Sequence, residues 1–309
     1  MTNLFIDGSA GTTGLRIRNR LYAREDLHVL TLPESLRKDP SARREAMAQA
    51  DVTFLCLPDA AAREAVALAE GTGTVLIDTS TAHRTSPEWT YGLPELPGMR
   101  EKIASSRLIA NPGCHASGFV ALTAPLVHAG LLRKDAQLSC FSLTGYSGGG
   151  KSMIAAYEAE DREPLLSAPR QYALGQAHKH LPEMQTFSGL QTPPLFCPIV
   201  GDFYSGMEVT VPLFASDLRG TISDVKDVFA SCYQSSILHF DGEAEQAENG
   251  FLSAGAFAGR DDMQITVCGN EERLLLIARF DNLGKGASGA AIQNLNLLLG
   301  IDETAGLVV

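Results

Sequence analysis

The fold is decided by residues 2–21, which read TNLFIDGSAGTTGLRIRNRL. The first five form an apolar run typical of a buried strand, and the last seven carry apolar side chains at helical spacing. Between them, Gly8, Gly11 and Gly14 form a G-x-x-G-x-x-G turn, a variant of the dinucleotide-binding fingerprint that is weak evidence alone. A strand, a glycine-rich turn and a helix together place a pyrophosphate on the helix N-terminus. The residues predicted to bind a dinucleotide are Gly8, Ser9, Gly11, Thr12, Thr13 and Gly14.

Strand-like and helical stretches alternate along the next part of the chain. Apolar strand runs at 27–32, 51–58 and 74–78 alternate with helical stretches at 42–49 and 59–70. This alternation predicts an α/β protein with a Rossmann-like, doubly wound parallel sheet, whose ligands lie at the carboxyl ends of the strands.

The segment after the second strand bears on the choice of cofactor. Glu34 could hold a ribose 2′-hydroxyl, which would favour NAD, whereas Ser35, Arg37 and Lys38 would favour the 2′-phosphate of NADP. Three donors against one acid favour NADP, with a solvated loop of mixed charge as the alternative.

A cysteine stands at another turn between a strand and a helix. Residues 111–118 read NPGCHASG, after a strand-like run at 107–110 and before a helical run at 119–128. A thiol at a helix start gains from the helix dipole and from backbone N–H groups, which lower its pKa and can hold an oxyanion. We interpret Cys114 as a nucleophile, with a buried structural cysteine as the alternative.

Two histidines with a nearby carboxylate are the acid/base candidates. Residues 176–183 read QAHKHLPE, so that His178 and His180 precede Glu183 in a polar segment. A carboxylate can orient an imidazole and raise its pKa. We favour His180, because Pro182 suits the first turn of a helix that would hold Glu183 close to it.

Residues 145–152, GYSGGGKS, match the Walker A pattern between a strand-like run and a helix. A P-loop NTPase is therefore a rival hypothesis, although the chain already begins with a dinucleotide-type turn and no later apolar strand ends in a convincing Mg²⁺-binding Asp. The same backbone N–H groups and Lys151 would also suit another phosphate or a carboxylate.

Composition bounds the class of protein. The net charge of −11 argues against a nucleic-acid partner. The 6 cysteines stand singly, without a C-x-x-C pair or Cys/His ligand spacing, so neither a disulfide framework nor a metal site is predicted. With no signal-peptide pattern and no apolar run long enough to span a bilayer, we expect a reduced cytoplasmic enzyme with no membrane partner.

The rest of the chain predicts a second, α+β domain. Strand-like runs consistent with an antiparallel sheet lie at 195–201, 208–214, 264–269 and 273–280, and 224–235 is an amphipathic helix. The final small-residue helix is expected to return to the first domain. The predicted dinucleotide-binding domain is 1–113 plus 284–309, and the predicted catalytic, substrate-binding and dimerisation domain is 114–283.

Taken together, these motifs resemble the short variant of the N-acetyl-gamma-glutamyl-phosphate reductases, in the semialdehyde dehydrogenase family. The resemblance covers nearly the whole chain and rests, in order, on Gly8–Gly14, residues 91–96 (YGLPEL), Asn111–Cys114, Ser147–Lys151, His178–Glu183, residues 282–287 (NLGKGA) and Gln293-Asn294. His115-Ala116 departs from the Tyr-Pro that is usual in the longer variant, and residues 81–84 (TAHR) depart from a common Asp-Phe-Arg run.

The resemblance implies NADPH-dependent reductive dephosphorylation of N-acetyl-glutamyl 5-phosphate to the semialdehyde, in arginine biosynthesis, by a homo-oligomer. It implies that Cys114 forms a thioester, that His178 or His180 moves the protons, and that Glu183 orients the imidazole. The residues it implies for the substrate are Arg84, Ser147, Gly148 and Lys151, and those implied beside the nicotinamide are Asn282 and Gly286. A sister reductase of the aspartate or aminoadipate pathway is the second rival.

Overall fold

A computed structural model describes residues 1–247 and 249–309. The chain divides into two compact units, Met1–Pro112 with Ala287–Leu307 and Gly113–Gly286 with Val308–Val309. These limits differ from the predicted ones by a few residues. Gly284 stays with the second unit because it packs on the backbone of Arg260, where an added Cβ would lie 1.9 Å from the carbonyl oxygen. The last two residues join that unit because the Val308 N–H donates to Asp261 Oδ2 at 2.9 Å.

The elements are numbered in chain order. The strands are β1 (Thr2–Asp7), β2 (Leu27–Leu30), β3 (Val52–Leu55), β4 (Val75–Asp78), β5 (Thr90–Tyr91), β6 (Leu108–Ala110), β7 (Ser139–Gly145), β8 (Arg170–Gln171), β9 (Leu195–Gly201), β10 (Met207–Phe214), β11 (Leu238–Phe240), β12 (Met263–Gly269) and β13 (Arg273–Phe280). The α-helices are α1 (Thr12–Leu21), α2 (Pro40–Gln49), α3 (Asp59–Ala69), α4 (Met99–Ser105), α5 (Cys114–His128), α6 (Gly150–Glu158), α7 (Leu181–Ser188), α8 (Ile222–Cys232), α9 (Ala244–Ala247) and α10 (Gly289–Leu299). Short 3₁₀ segments lie at Glu34–Leu36, Tyr146–Gly149, Pro164–Ser167 and Ala215–Asp217, and Gly284–Ser288 forms a π-turn. Within the described residues, no helix is both long and apolar enough to cross a membrane.

The first unit is a parallel sheet in the order β2-β1-β3-β4-β6-β5, with helices on both faces. Side chains alternate between the faces: Leu4 and Ile6 enter one apolar cluster, whereas Phe5 between them enters the other. The first cluster takes residues from α1, α4 and α10, and the second from α2 and α3. The doubly wound sheet and the return of the C-terminal helix are therefore confirmed.

The second unit is a mixed sheet in the order β11-β12-β13-β10-β7-β9-β8, which corrects the expected antiparallel sheet. The strands β7 and β9 pair in parallel, as do β11 and β12, while the other neighbours are antiparallel. A parallel pair needs a long crossover, and the chain from β7 to β9 supplies one through α6 and α7. Each strand's pattern reveals its faces but not its partner, so the sequence missed this pairing.

The helix α5 occupies the core of the second unit. All its residues from His115 to Val127 are buried, as expected of a helix that is apolar all round. Gly118 allows close packing on the sheet, because an added Cβ would lie 2.6 Å from Val209 Cγ2 of β10. The packing of α5 in the core therefore fixes the position of its first residue, Cys114.

The other face of this sheet carries exposed apolar side chains. Met207, Val209, Val211 and Leu213 of β10 point into the core, so the alternate residue Phe214 points outward and is 63% exposed. The strand register places the exposed side chains Phe141, Leu195 and Leu275 on the same outward face. This outer face is the set Phe141, Leu195, Phe214 and Leu275.

Candidate active site

Cys114 is the first residue of α5, and a buried carboxylate holds the turn before it. Gly113 caps the helix with an extended backbone, and its N–H donates to Glu183 Oε1 of α7 at 2.8 Å. Glu183 is only 1% exposed. Glu183 thus places a carboxylate at the N-terminus of α5, the end of the helix dipole that stabilises anions, and it holds Gly113, the residue before Cys114.

This contact gives Glu183 a position that the sequence pattern did not indicate. The sequence predicted that Glu183 orients His180, and that pairing stays a prediction. The hydrogen bond to Gly113 spans 70 residues of sequence, so no local spacing could have suggested it.

The two predicted histidines come together with a third. The rings of His178 and His180 lie 4.8 Å apart between centroids, nearly perpendicular, and the His180 N–H donates to His178 Nδ1 at 3.2 Å. The ring of His115 lies 5.6 Å from that of His178 and 5.5 Å from that of His180. We call His115, His178 and His180 the imidazole cluster. The cluster therefore includes the residue that directly follows Cys114 in the chain.

No sequence motif predicted a role for His115, which stands out in the sequence only as a departure from the longer variant. Its Nδ1 lies 2.7 Å from Ser142 Oγ, and its Nε2 lies 2.7 Å from the Tyr172 hydroxyl. Burial, and to a lesser degree the charge of His178, lowers the pKa of His115 to about 3. His115 is therefore neutral near pH 7, with one ring nitrogen a donor and the other an acceptor.

The π-turn Gly284–Ser288 packs against the nucleophile. A Cβ added at Gly286 would lie 2.8 Å from Cys114 Cβ. The side chain of Lys285 in the same turn is buried. The predicted nicotinamide role of Gly286 stays a prediction, and its close approach to Cys114 is a further reason for a glycine at this position.

Arg84 lies in the first unit, buried near the carboxyl ends of its strands. Its Nε donates to the Asn111 carbonyl at 3.0 Å and its Nη2 to the Thr79 carbonyl at 3.1 Å. Asn111 Nδ2 donates in turn to the Ala287 carbonyl. The motifs that contain Arg84, Asn111 and Ala287 thus contact one another. The contact of Arg84 with the substrate stays a prediction.

A cavity of about 660 Å³ in the first unit contains part of the predicted cofactor site. Gly8 and Ser9 line it together with Ser35, Arg37 and Lys38. Gly8 has a φ of +88°, and an added Cβ would lie 2.3 Å from the Cys56 carbonyl oxygen, so only glycine fits this turn. The predicted residues Gly11, Thr12, Thr13 and Gly14 form the start of α1 and the turn before it.

Two arginines of this cavity were not predicted. Arg43 donates through Nε and Nη2 to Asp7 Oδ2, at 3.0 and 2.8 Å, and its Nη1 donates to Glu64 at 3.0 Å. Burial raises the pKa of Asp7, while the Arg43 guanidinium opposes that rise. Arg18 also lines the cavity, and its buried Nε has no hydrogen-bond partner within residues 1–247 and 249–309. A cavity with a glycine turn and an unsatisfied guanidinium nitrogen fits a dinucleotide phosphate.

Comparison with known proteins identifies the family. The family model "Semialdehyde dehydrogenase, NAD binding domain" matches residues 6–106, and "Semialdehyde dehydrogenase, dimerisation domain" matches residues 114–282. The chain belongs to the semialdehyde dehydrogenase family. The chain is 47% identical over 305 residues to proteins of Brucella ovis and Brucella melitensis, covering 96% of its own length and 98% of theirs. Both relatives are named N-acetyl-gamma-glutamyl-phosphate reductase.

Solved structures of aspartate semialdehyde dehydrogenases share the fold. Aspartate semialdehyde dehydrogenase II from Vibrio cholerae superposes with a TM-score of 0.74 at 17% identity, over 97% of this chain and 99% of that one. The Candida albicans aspartate semialdehyde dehydrogenase, solved with NADP, gives a TM-score of 0.62 at 14% identity, over 97% and 98%. The two family models and the 47% identical relatives confirm the resemblance to the family and the assignment to the oxidoreductases.

The first part of the Walker A-like segment is bound to a neighbouring turn of the second unit. The N–H groups of Gly145, Tyr146 and Ser147 donate to the carbonyls of residues 206, 203 and 204, whereas a P-loop directs such groups at phosphates. The buried Ser147 hydroxyl accepts from Asn282 Nδ2 at 3.0 Å, and Asn282 Oδ1 accepts from the Gly206 N–H at 2.9 Å. This geometry weighs against the P-loop NTPase.

Of the residues predicted in this segment for the substrate, Ser147 is thus engaged by Asn282. A Cβ at Gly148 would lie 3.3 Å from the same Asn282 Nδ2, and Lys151 is exposed at the start of α6. Asn282 therefore fastens this loop to the turn at Gly206, a packing role beyond the nicotinamide contact that the resemblance implied.

Proposed function

We propose that this chain catalyses the NADPH-dependent reduction of N-acetyl-L-glutamyl 5-phosphate to N-acetyl-L-glutamate 5-semialdehyde, with release of phosphate, in arginine biosynthesis. The observation that carries the proposal is the near full-length identity of 47% to reductases of that name. The position of Cys114 at the start of α5, next to the imidazole cluster, supports it, because the reaction needs a thiolate nucleophile.

The chemistry of the second unit begins with the Cys114 sulfur. Its thiolate attacks the acyl carbon of the acyl phosphate, phosphate leaves with the electron pair of the broken C–O bond, and a thioester remains. NADPH, when bound, supplies the hydride that reduces this thioester. The resulting thiohemiacetal expels the aldehyde and regenerates the thiolate. The helix start stabilises the thiolate and each oxyanion, and loss of one such donor typically costs about 10²–10³-fold in rate.

His180 is the proposed acid/base, with His178 as its neighbour. An imidazolium beside the oxyanion would protonate it, and the neutral ring would take the proton back as the thiohemiacetal collapses. Glu183 contributes by holding the Gly113 N–H, which keeps the nucleophile's turn in place, and its predicted pairing with His180 would add to that role.

The cofactor would lie in the cavity of the first unit. Residues Gly8 to Gly14 would hold the pyrophosphate at the start of α1. Ser35, Arg37 and Lys38 would hold the 2′-phosphate, which makes NADP the proposed cofactor. Charge-assisted hydrogen bonds from a guanidinium to a phosphate are about twice as strong as neutral ones, so this contact would dominate the selectivity.

A homo-oligomer in the cytoplasm is proposed for the working enzyme. The outer face of Phe141, Leu195, Phe214 and Leu275 supports the oligomer, since exposed apolar side chains that share one face mark contact surfaces. A reactive thiolate supports a reducing compartment, because oxidation to a disulfide or sulfenic acid would inactivate it.

The test is an assay of NADPH oxidation with the acyl phosphate, or of NADP reduction with the semialdehyde and phosphate. Aspartyl phosphate and the aminoadipyl phosphate serve as matched substrates for the sister reductases. We expect turnover with the N-acetylglutamyl substrate, and loss of several orders of magnitude in kcat for Cys114→Ser with NADPH binding retained. Preference for another acyl phosphate, or near-normal turnover by Cys114→Ser, would contradict the proposal.

A further inference from the structure

The cavity of the first unit is lined by basic side chains from two separate parts of the chain. Arg37 and Lys38 follow β2, whereas Arg18 lies in the second half of α1. Among the hydrogen bonds and ion pairs within residues 1–247 and 249–309, none involves the side chain of Arg18, Arg37 or Lys38. Arg43 of the same cavity differs, because two carboxylates already bind it. Three cations of this cavity can therefore bind the anionic part of a ligand.

The charge of the cavity is opposite in sign to that of the whole chain. Its basic lining residues outnumber the acidic ones by four to three, in a chain of net charge −11. Two of the three acids are the partners of Arg43, and the third is Glu34. A positive cavity in an acidic protein favours a ligand with several negative charges.

The ring of Tyr22 holds the guanidinium of Arg18. The Arg18 Cζ lies over this ring, 5.9 Å from its centroid, and the Tyr22 N–H donates to the Arg18 carbonyl at 3.0 Å at the end of α1. Stacking uses the flat face of a guanidinium and leaves the N–H donors along its edge available. The buried Arg18 Nε has no acceptor among the described residues. Because buried donors without an acceptor are rare, this guanidinium is suited to an acceptor that a ligand supplies.

The position of Arg18 distinguishes between the phosphates of a dinucleotide. The pyrophosphate binds at the start of the first helix in this fold, and Arg18 lies about 9 Å along the axis from Thr12, the first residue of α1. Val29 and Leu30 of β2 line the same cavity as Arg18. The adenosine ribose binds beside the carboxyl end of this strand, so the phosphate nearest to β2 is the 2′-phosphate of NADP.

We propose that Arg18 is a specificity-determining residue for the cofactor, which donates hydrogen bonds to the 2′-phosphate of NADP, and that Tyr22 is its positioning residue. The inference rests on the proposed function in one respect, the choice of NADP. Arginine suits this role because its planar fork can bind two phosphate oxygens at once. Stacking on Tyr22 also restricts the side chain before the cofactor binds, which lowers the entropy lost on binding.

Titration calorimetry of the purified chain, without the acyl phosphate, tests this role. The probes are NADPH against NADH, and adenosine 2′,5′-bisphosphate against AMP, a pair that reports on the 2′-phosphate without the nicotinamide. We expect Arg18→Ala to raise the Kd of NADPH and of the bisphosphate about tenfold or more, and to change that of NADH and AMP little. Arg18→Lys keeps the charge but not the fork, so its loss should be smaller and equally selective.

Substitutions of Tyr22 test the positioning role separately. Tyr22→Phe retains the ring and should leave every Kd unchanged. Tyr22→Ala should raise the Kd of NADPH about two- to fivefold, because a cation–π contact at an exposed site is weak. In the Arg18→Ala background it should add little, since Tyr22 acts through Arg18. An equal effect of Tyr22→Ala in both backgrounds would refute the positioning role.

Arg20→Ala is the matched control. It removes the same charge from the same helix, and Arg20 is not among the described residues that line the cavity, so the affinity for NADPH should be retained. An equal selective loss in Arg20→Ala overturns the inference, as do equal losses for NADPH and NADH in Arg18→Ala. If Arg18→Ala does not fold, Arg18→Gln replaces it, and an unchanged affinity for NADPH in that variant has the same consequence.

The outcomes also separate this inference from the proposed function. Equal affinity of the wild type for NADPH and NADH would refute both the choice of NADP and the role of Arg18. A preference for NADPH that survives in Arg18→Ala would refute the role of Arg18 alone. A preference that is lost in Arg18→Ala, in an enzyme that does not reduce the acyl phosphate, would refute the proposed reaction and leave the contact of Arg18 standing.

Discussion

The close approach of Gly286 to the nucleophile predicts a large effect of a single methyl group. An alanine Cβ there would lie 2.8 Å from Cys114 Cβ, whereas ordinary van der Waals contact begins at 3.4 Å, so the two must separate by about 0.6 Å. The same Cβ would also lie 3.2 Å from the Asp281 carbonyl oxygen and 3.3 Å from Phe280 Cε2, which leaves it little room to retreat. The backbone of Gly286 has no positive φ, so an alanine is otherwise tolerated.

We expect Gly286→Ala to lower kcat by about 10–100-fold, since a misplacement near 1 Å at a reacting group can cost 10²-fold. Its overpacking should cost about 1–3 kcal/mol of unfolding free energy. Steady-state kinetics with the acyl phosphate and thermal unfolding measure the two effects. Gly242→Ala is the control, because among the described residues its Cβ would meet Phe240 alone, at an ordinary 3.5 Å. Normal turnover of a fully stable Gly286→Ala enzyme would refute the reasoning.

Three further predictions concern the cofactor, the acid/base and pH. Loss of a charge-assisted contact costs about 1.5–3 kcal/mol, so Arg37→Ala should raise the Kd of NADPH tenfold or more and that of NADH little. Titration calorimetry measures both values, and an equal loss of affinity for the two cofactors would contradict a contact with the 2′-phosphate. His180→Asn should lower kcat about 10²–10⁴-fold and remove one limb of the pH–rate profile; a larger loss in His178→Asn would exchange the two roles. The unfolding free energy should decrease as pH falls from about 6.5 toward 3, because the unfolded state binds a proton that the buried His115 does not. The slope should reach about 1.4 kcal/mol per pH unit. Denaturant titrations at several pH values should find a shallower slope in His115→Asn.

The predictable parts of the fold are those that depend on the short-range periodicity of apolar side chains. The strand, glycine turn and helix at residues 2–21 form β1 and α1 as expected, since spacing of two or 3.6 residues is a local signal. Cys114 was found at a helix start for the same reason. The parallel pairing of β7 with β9 was missed, because a strand's side-chain pattern does not name its neighbour.

The surroundings of the nucleophile were less accessible to sequence reasoning. The contact of His115 with Tyr172 spans 57 residues and that of Glu183 with Gly113 spans 70. The histidines were noticed because they stand two residues apart, but the third ring joins them only through the folding of α5 against the segment 172–180. Hydrogen bonds between residues far apart in the chain produce no recognisable spacing of residue types in the sequence.

The complete burial of α5 has a consequence for how this enzyme can move. Amide hydrogens in a helix surrounded by core exchange with solvent only when the whole unit opens, whereas those at frayed ends and surface loops exchange through small fluctuations. We therefore expect the amides in the interior of α5, the helix that begins with Cys114, to be among the most slowly exchanging of the second unit, so that local opening of this helix is about as rare as global unfolding. Substitutions along α5 that loosen its packing should consequently shorten the lifetime of the folded enzyme and lower its activity together. No such substitution should change one of these two properties without the other.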